Sequence, residues 1–311
     1  MKKNIAWLIV IVFIGLISLN LTVAQASSPA DYPLMQAATP TPEDPTIGST
    51  RISETDQMAQ VYVPSGDFIM GSTDIEAKQT IEDGRAYPEI PQHTVYVDGF
   101  WIDKYEVTTS QYAMCVEDGV CDPPFTNKSF TRQEYYGNPE YADYPVIWVK
   151  WEMARTYCEW ASRRLPTEAE AEKAARGTDG QKFPWGDDPY SGEYANMCDV
   201  NCPKSWANPN WDDGYADTAP VGSYPAGASP YGAMDMVGNV WEWNGSIIQP
   251  YPYDANDGRE NPENSEILQI ERSWRSGAWN DGYWWMRASV RYRSVPNYWY
   301  YNLGIRCASS E

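Results

Sequence analysis

Histidine is almost absent from this chain, since His93 is the only one among 311 residues. We interpret His93 as a structural hydrogen-bonding residue, which leaves no place for Ser-His triad chemistry or a histidine-rich metal site. Positive charge is also scarce, because 23 Lys and Arg stand against 43 Asp and Glu, for a formal net charge of −20. A nucleic-acid partner, which requires a basic surface, is therefore excluded.

Phenylalanine is scarce as well, but the other aromatic residues are abundant. Six Phe accompany 15 Trp and 23 Tyr. Trp and Tyr combine a large apolar body with a polar edge, so they suit irregular cores and wet binding clefts. The chain is long enough for one large domain or two small ones.

The N-terminal segment has the pattern of a targeting signal. Lys2 and Lys3 precede a nearly unbroken apolar run over 5–19, and Ala24-Gln-Ala26 supplies small residues at cleavage spacing. The pattern predicts a signal peptide over 1–26 and a secreted or extracytoplasmic protein. The alternative is an uncleaved membrane anchor, the one case in which a membrane becomes a partner.

The remaining chain divides into a linker and a folded domain. Residues 27–60 are rich in Pro, Ser and Thr and poor in large apolar residues, which predicts an extended linker. A domain over 61–311 follows. It opens with two strands around the Pro64–Gly66 turn, and a strand pair is expected between His93 and Thr108.

Two helices are predicted in the middle of the domain. Trp151, Ala154, Cys158 and Ala161 lie on one helical face. Thr167 and Glu170 have capping-box spacing, which predicts a helix from 168 to a stop at 177. From 183 onward the chain is rich in Gly, Pro, Asn and Asp, so it should form loops and short strands.

Six cysteines in an exported chain indicate disulfides. Cys115 and Cys121 flank an Asp-Gly turn and suit a local bridge. Cys198 and Cys202 would brace a neighbouring cluster of oxygen-bearing side chains if they pair; a zinc site on them is the alternative.

Two stretches concentrate oxygen ligands of the kind that Ca²⁺ requires. One runs from Asp235 to Glu242 through Gly238-Asn239, where the backbone can curl; an ordinary hairpin with a Trp-rich buried face is the alternative. The other joins Asn196-Met197 to the 208–215 segment, in which two aspartates precede a glycine.

Arginine and aromatic residues concentrate near the C-terminus. These arginines would either line a cleft for a carboxylate, peptide or sugar, or pair with the domain's own acids and stack on Trp. They are Arg272, Arg275, Arg287, Arg291, Arg293 and Arg306.

Seven short motifs resemble, in order, those of the formylglycine-generating enzyme (sulfatase-modifying factor) family. They are Phe68-Ile-Met-Gly71, Glu106-Val-Thr108, Tyr157-Cys-Glu-Trp160, Arg164-Leu-Pro-Thr-Glu-Ala-Glu170, Phe183-Pro-Trp-Gly186, Gly238-Asn-Val-Trp-Glu-Trp243 and Leu303-Gly-Ile-Arg-Cys307. The resemblance implies an α+β fold, similar to C-type lectins, with little regular secondary structure.

The resemblance also implies two calcium sites and a long-range disulfide. The first site would use Asn196, the Met197 carbonyl, Asp213 and the Tyr215 carbonyl. The second would use Asp235, the Gly238 and Val240 carbonyls, and Glu242. The family's disulfide maps to Cys158 and Cys307.

The family's catalytic residues are where the sequence departs from it. The family enzyme oxidises a substrate cysteine with a copper-binding pair of its own cysteines, but residues 275–287 contain none. Asp281 or one of its neighbours stands at the first cysteine position, Met286 lies near the second, and Ala278 replaces the active-site serine. Trp241 and Asn302, which flank the cleft in the enzyme, remain.

These departures leave open whether the chain is an enzyme. We expect a monomeric protein without copper that binds a peptide, glycan or small-molecule ligand. The alternative is a formylglycine-generating oxidase or another metal-dependent oxidoreductase that modifies a protein side chain.

Overall fold

The structure is a computed structural model that describes residues 44–73, 76–78, 88–261 and 269–310. The predicted signal peptide and most of the predicted linker lie outside these residues. The first strands are β1 (Thr50–Ile52), β2 (Ala59–Val63), β3 (Gly66–Met70), β4 (His93–Val97) and β5 (Phe100–Asp103). The helices α1 (Thr109–Glu117), α2 (Trp151–Trp160) and α3 (Glu168–Arg176) follow. The last strands are β6 (Trp241–Ile247), β7 (Arg272–Arg275), β8 (Tyr292–Ser294), β9 (Leu303–Gly304) and β10 (Ala308–Ser310).

The strands form three small sheets. One has the order β1-β2-β5-β10, a second pairs β3 with β4, and a third has the order β8-β7-β6-β9. Pairing is antiparallel except between β6 and β9, which run parallel. The strands predicted between His93 and Thr108 are present, but they do not pair with each other, because β4 joins β3 while β5 lies between β2 and β10.

The folded part begins earlier than the predicted boundary at 61. β1 pairs with β2 from Thr50 onward, and Met58 is buried in the core. Asp56 is also buried, where it accepts a hydrogen bond from the Tyr157 hydroxyl at 2.6 Å and pairs with Arg163. The linker prediction is therefore wrong for the described residues before 61. This segment is polar in composition, yet it contains strand β1 and the buried ion pair between Asp56 and Arg163.

Local capping signals set the helix starts. The Thr167 Oγ1 accepts the Glu170 N–H at 3.1 Å, while a Glu170 carboxylate oxygen accepts the Thr167 N–H at 2.7 Å. The same reciprocal bonds join Thr108 and Gln111 at the start of α1. α3 ends at Gly177, whose φ of 74° suits glycine. Both predicted helices are confirmed.

α3 is a polar helix in the middle of the core, with every residue from 168 to 176 buried. Its charges are paired: Glu168 binds Arg291 at 2.6 Å and Arg275 at 3.2 Å. Glu172 pairs with Arg275 at 2.7 Å. Buried charges are tolerated only with such partners, while Ala169, Ala174 and Ala175 pack the same helix into the hydrophobic core.

All six cysteines form disulfides: Cys115–Cys121, Cys158–Cys307 and Cys198–Cys202. The first two bridges are the ones expected, and the third decides between the two alternatives for Cys198 and Cys202: they form a disulfide, which excludes a thiolate zinc site because both sulfurs are oxidised. The bridge between residues 158 and 307 joins α2 to the segment between β9 and β10, over a sequence separation of 149.

Candidate ligand cleft and cation sites

A cleft of about 760 Å³ opens at one end of the β8-β7-β6-β9 sheet. Its volume falls within the usual range for a small-molecule site. Aromatic rings dominate its walls: Trp206, Trp241, Trp274, Trp284, Trp285, Tyr292, Tyr298, Tyr300 and Tyr301. The remaining lining residues are Asn280, Asp281, Gly282, Arg293, Ser294 and Asn302. We call this site the aromatic cleft.

Neighbouring strands place the innermost rings against one another. Trp241 begins β6, Trp274 lies on β7 and Tyr292 begins β8. The Trp274 ring centroid lies 5.3 Å from that of Tyr292, and the Trp241 centroid lies 5.7 Å from Tyr292. These rings pack against one another and are largely buried at the cleft floor, whereas Trp284 and Tyr298 at the rim are 44% and 40% exposed.

Asp281 is held in a single orientation in the cleft wall. One carboxylate oxygen accepts the Trp241 Nε1–H at 2.8 Å and the Ala278 N–H at 3.0 Å. The Asp281 carbonyl accepts the Cys198 N–H at 3.0 Å, which ties the short disulfide loop to the cleft. The predicted cleft residues 241, 278 and 281 are thus brought together, although the Ala278 side chain is fully buried.

Two polar atoms in the cleft lining have no hydrogen-bond partner among the described residues. Asn302 donates to the Asn280 side-chain oxygen at 2.6 Å, but its own Oδ1 is buried without a donor. The Trp274 Nε1–H is likewise buried without an acceptor. Buried polar groups are nearly always satisfied, so an unpaired donor and acceptor beside a cleft are available to a ligand.

Most of the C-terminal arginines do not line the aromatic cleft, so the first of the two interpretations of this cluster is wrong. Arg275 and Arg291 pair with Glu168, and Arg287 pairs with Glu89 at 2.5 Å. Arg306 binds Glu242, so among the six only Arg293 borders the cleft. The fold brings distant acids to these side chains, and the expectation of an arginine-rich cleft is corrected.

Two of the residues named for the first predicted calcium site contact Asp213 through their backbone N–H groups. The Asp213 carboxylate accepts the Met197 N–H at 2.8 Å and the Tyr215 N–H at 2.9 Å. Burial raises the pKa of Asp213 to about 8, and the nearby Asp199 adds to the increase. Among the described residues, the buried Asn196 Oδ1 has no donor and Asp213 has no cationic partner. An unpaired amide oxygen and a carboxylate without a countercharge are the ligand types that a hard cation takes.

The second predicted site contains more charge than expected. Asp235 and Glu242 are buried, and Glu242 accepts the Arg306 guanidinium with both oxygens at 3.0 Å. A third buried carboxylate, Glu106, lies near them: burial raises its pKa well above the ordinary value, and Asp235 adds to the increase. One Glu106 oxygen has no donor in the part of the chain that the structure describes. The three carboxylates outnumber the single arginine at this site, but Arg306 already occupies Glu242, and the three do not have the mutual geometry of a metal site.

The backbone at this second site curls as the Gly-Asn signal predicts. Asp235, Gly238 and Asn239 all have positive φ, of 56°, 90° and 56°. The Asn239 side chain then bridges the two candidate sites, because it donates to Glu106 at 3.1 Å and accepts from the Asn196 amide at 3.2 Å. Over the part of the chain that the structure describes, no group of three or more His, Cys, Asp or Glu has the geometry of a metal site.

Sequence reasoning missed several site residues. Glu106 belongs to the Glu-Val-Thr motif, and Asp199 follows Cys198, so motif membership and proximity to a bridge were the available signals. Trp206 lies in a loop 35 residues before Trp241 and forms part of the cleft wall, but no motif in the sequence indicates this position.

Comparison with known proteins places the chain. A model of the sulfatase-modifying factor enzyme 1-like domain matches residues 48–311. The formylglycine-generating enzyme of Mus musculus is 29% identical over 298 residues, covering 81% of this chain and 75% of that protein. The inactive C-alpha-formylglycine-generating enzyme 2 of the same species is 30% identical over 288 residues, covering 81% and 86%.

A solved structure agrees with these sequence matches. PvdO from Pseudomonas aeruginosa superimposes with a TM-score of 0.66 at 24% identity, covering 86% of this chain and 99% of that one. Within the described ranges, no helix has the length and apolar character needed to cross a membrane. The α+β fold with little regular secondary structure is confirmed, and the chain belongs to the sulfatase-modifying factor family.

Proposed function

We propose that this chain is an exported, calcium-binding member of the family whose aromatic cleft binds a peptide, glycan or small-molecule ligand. In this proposal it does not carry out copper-dependent oxidation of a cysteine. One observation carries the proposal: the aromatic cleft is present, while every cysteine of the chain is bound in a disulfide.

The chemistry at the family's cysteine positions supports the proposal. Asp281 offers a hard oxygen ligand that already accepts two hydrogen bonds, whereas Cu(I) prefers soft thiolates. Met286 is fully buried, and the methyl of Ala278 has no nucleophilic atom. The mouse relative named inactive C-alpha-formylglycine-generating enzyme 2 indicates that the family includes proteins without this activity.

The cleft has the composition of a binding site. Rings at its rim supply flat apolar surface that loses little conformational entropy on binding. Asp281, Asn302 and the Trp274 Nε1–H supply a few fixed polar groups within it. A ligand with one stacking face and several hydroxyl or amide groups would satisfy both features.

Ligand binding can be tested with glycan and peptide arrays followed by titration. Trp284→Ala removes a 44%-exposed ring from the cleft rim, so it should fold normally and weaken binding about tenfold. Tyr96→Ala is the matched control, because Tyr96 is 62% exposed and does not line the cleft. Equal affinity of Trp284→Ala and the unmodified chain would place the ligand elsewhere.

Copper chemistry has a direct assay. The purified protein, supplied with copper and a Cys-x-Pro-x-Arg peptide, should leave the peptide cysteine unchanged in a mass spectrum. A formylglycine product would overturn that part of the proposal, even if ligand binding in the cleft were established.

Calcium binding should appear as stability. A ligand that binds only the folded state at a hundredfold excess over its Kd adds about 2.7 kcal/mol. Chelation should therefore lower the Tm, and added Ca²⁺ should restore it. Asp213→Asn should weaken the response, because it removes the only carboxylate among the four proposed ligands of the first site. An unchanged Tm on chelation contradicts both sites.

A further inference from the structure

A second cavity, of about 380 Å³, lies between α2 and the strands β6 and β7. It shares no residue with the aromatic cleft. Its lining residues are Trp151, Arg155, Glu159, Arg164, Leu165, Thr167, Gly245, Glu260 and Arg272. We call it the Arg272 pocket.

Arg272 is buried in this pocket with most of its hydrogen-bonding capacity unused. Arg272 is 1% exposed, and its Nη1 donates to the Gly245 carbonyl at 2.6 Å. Its Nε and Nη2 have no acceptor in the described structure. The guanidinium carbon lies 4.3 Å from the Trp151 ring centroid, a contact that supports the cation but supplies no carboxylate or carbonyl acceptor.

A second guanidinium faces the same ring. The Arg155 guanidinium carbon lies 5.6 Å from the Trp151 centroid, and its buried Nε also lacks a hydrogen-bond acceptor. Glu159 approaches that nitrogen only to 3.5 Å, in an ion pair whose glutamate is 57% exposed. Burial lowers the pKa of Arg272 to about 10; Glu260 opposes the decrease, while Arg155 adds to it. Two arginines that line one cavity therefore each carry buried donors that have no acceptor among the described residues.

The acids of the pocket do not complete these arginines. Glu260 accepts the Ser246 hydroxyl at 2.6 Å and the Tyr253 hydroxyl at 2.7 Å, and burial raises its pKa, which disfavours its charged form. The remaining cation, Arg164, is already bound to Glu170 through two bonds of 2.6 Å.

We propose that the Arg272 pocket binds the carboxylate group of a small organic acid. Arg272 and Arg155 would donate to its oxygens, and the Trp151 and Leu165 side chains would contact its apolar body. A planar carboxylate matches the forked donors of a guanidinium. Buried N–H groups without an acceptor are costly, and a carboxylate would satisfy those of both arginines at once.

Benzoate is a suitable probe, because it joins a carboxylate to a flat apolar ring. Benzamide is the matched neutral ligand of nearly the same shape, and inorganic phosphate tests for a general anion site. Titrations of the full disulfide-bonded protein by calorimetry should show benzoate binding, with benzamide and phosphate each at least tenfold weaker.

Variants locate the site. Arg272→Gln and Arg155→Gln should each weaken benzoate about tenfold or more, since each removes charged donors. If Arg272→Gln does not fold, Arg155→Gln still decides, because its side chain is one-third exposed. Arg51→Gln is the matched control: Arg51 also lies over a tryptophan, with its guanidinium carbon 4.5 Å from the Trp101 centroid, but outside the pocket.

Three results would overturn the proposal. Benzamide could bind as tightly as benzoate, benzoate affinity could persist in Arg155→Gln, or a crystal grown with benzoate could show only water on the two guanidinium groups. Tighter binding of phosphate than of benzoate would overturn the assignment to carboxylates. None of these results bears on the aromatic cleft.

Discussion

The ion pairs of α3 lead to a sharp prediction for Glu168→Gln. Glu168 is fully buried and binds Arg291 through both oxygens, at 2.6 and 2.8 Å, while Arg275 approaches at 3.2 Å. Glutamine keeps the size of the side chain but removes its charge. Arg275 would keep its pair with Glu172 at 2.7 Å, whereas the buried Arg291 would lose the charge of the carboxylate that it binds through two hydrogen bonds.

The expected cost follows from the burial of the pair. Removing one partner of a buried ion pair destabilises a protein by about 3–5 kcal/mol, because the remaining charge is uncompensated. The free energy of unfolding of a typical domain is only about 5–15 kcal/mol, so this single change should remove a large share of it.

The assay is equilibrium unfolding in urea with the disulfides intact. Urea is preferable to guanidinium chloride because it does not screen the charges under test. Glu271→Gln is the control: Glu271 pairs with Arg293 at 2.7 Å, but both side chains are more than a third exposed. Loss of this exposed ion pair should lower the free energy of unfolding by about 1 kcal/mol or less.

Acid unfolding supplies a second readout. Burial alone would raise the pKa of Glu168, but Arg291 and Arg275 outweigh it and hold the pKa below its ordinary value of 4.5. A depressed pKa gives stability that is present above 4.5 and is lost as pH falls through the folded-state value. Glu168→Gln should therefore flatten the loss of stability below pH 4.5.

Two outcomes would refute this reasoning. The first is a cost below about 1 kcal/mol, equal to the Glu271→Gln control. The second is no recovery in the double variant Glu168→Gln/Arg291→Met, which removes both charges of the closest pair and should be less destabilised than the sum of the single changes.

Three further changes test other parts of the fold. The double change Cys158→Ser/Cys307→Ser opens a closed loop of about 149 residues. By the chain-entropy relation it should lower the free energy of unfolding by about 5 kcal/mol, which a lower urea midpoint under oxidising conditions would show. Thr167→Ala removes the cap of α3 and should cost about 1 kcal/mol, whereas Thr167→Ser should restore it. Gly238→Ala should lower the Tm, because φ is 90° and a Cβ would lie 2.5 Å from a backbone oxygen; a Tm unchanged from the parent contradicts that geometry.

Short-range features of the fold could be predicted from the sequence. The capping boxes at 108 and 167 form between residues three positions apart, and the Cys115–Cys121 bridge closes a short turn. The Gly238-Asn239 curl is equally local, since both residues adopt positive φ. Such features require no knowledge of the rest of the chain.

Pairing between distant segments could not be predicted. The strands β4 and β5 are neighbours in sequence, yet they belong to different sheets. The 44–60 segment is polar in composition, yet Asp56 meets Arg163 across 107 positions. A polar side chain carries no sign of its partner, so its burial depends on which segment the fold brings to it.

The sequence by itself determined the family through its ordered motifs, the local caps and turns, and the lack of cysteine in residues 275–287. Only the tertiary structure decided the role of the arginines, because the acids that bind most of them lie on other segments. In the folded chain Arg291 and Arg306 are buried in ion pairs, whereas Arg272 lines a pocket and has donors without an acceptor among the described residues. The reason is physical: a guanidinium needs acceptors wherever it is buried, and those acceptors come from segments that meet only in the folded chain.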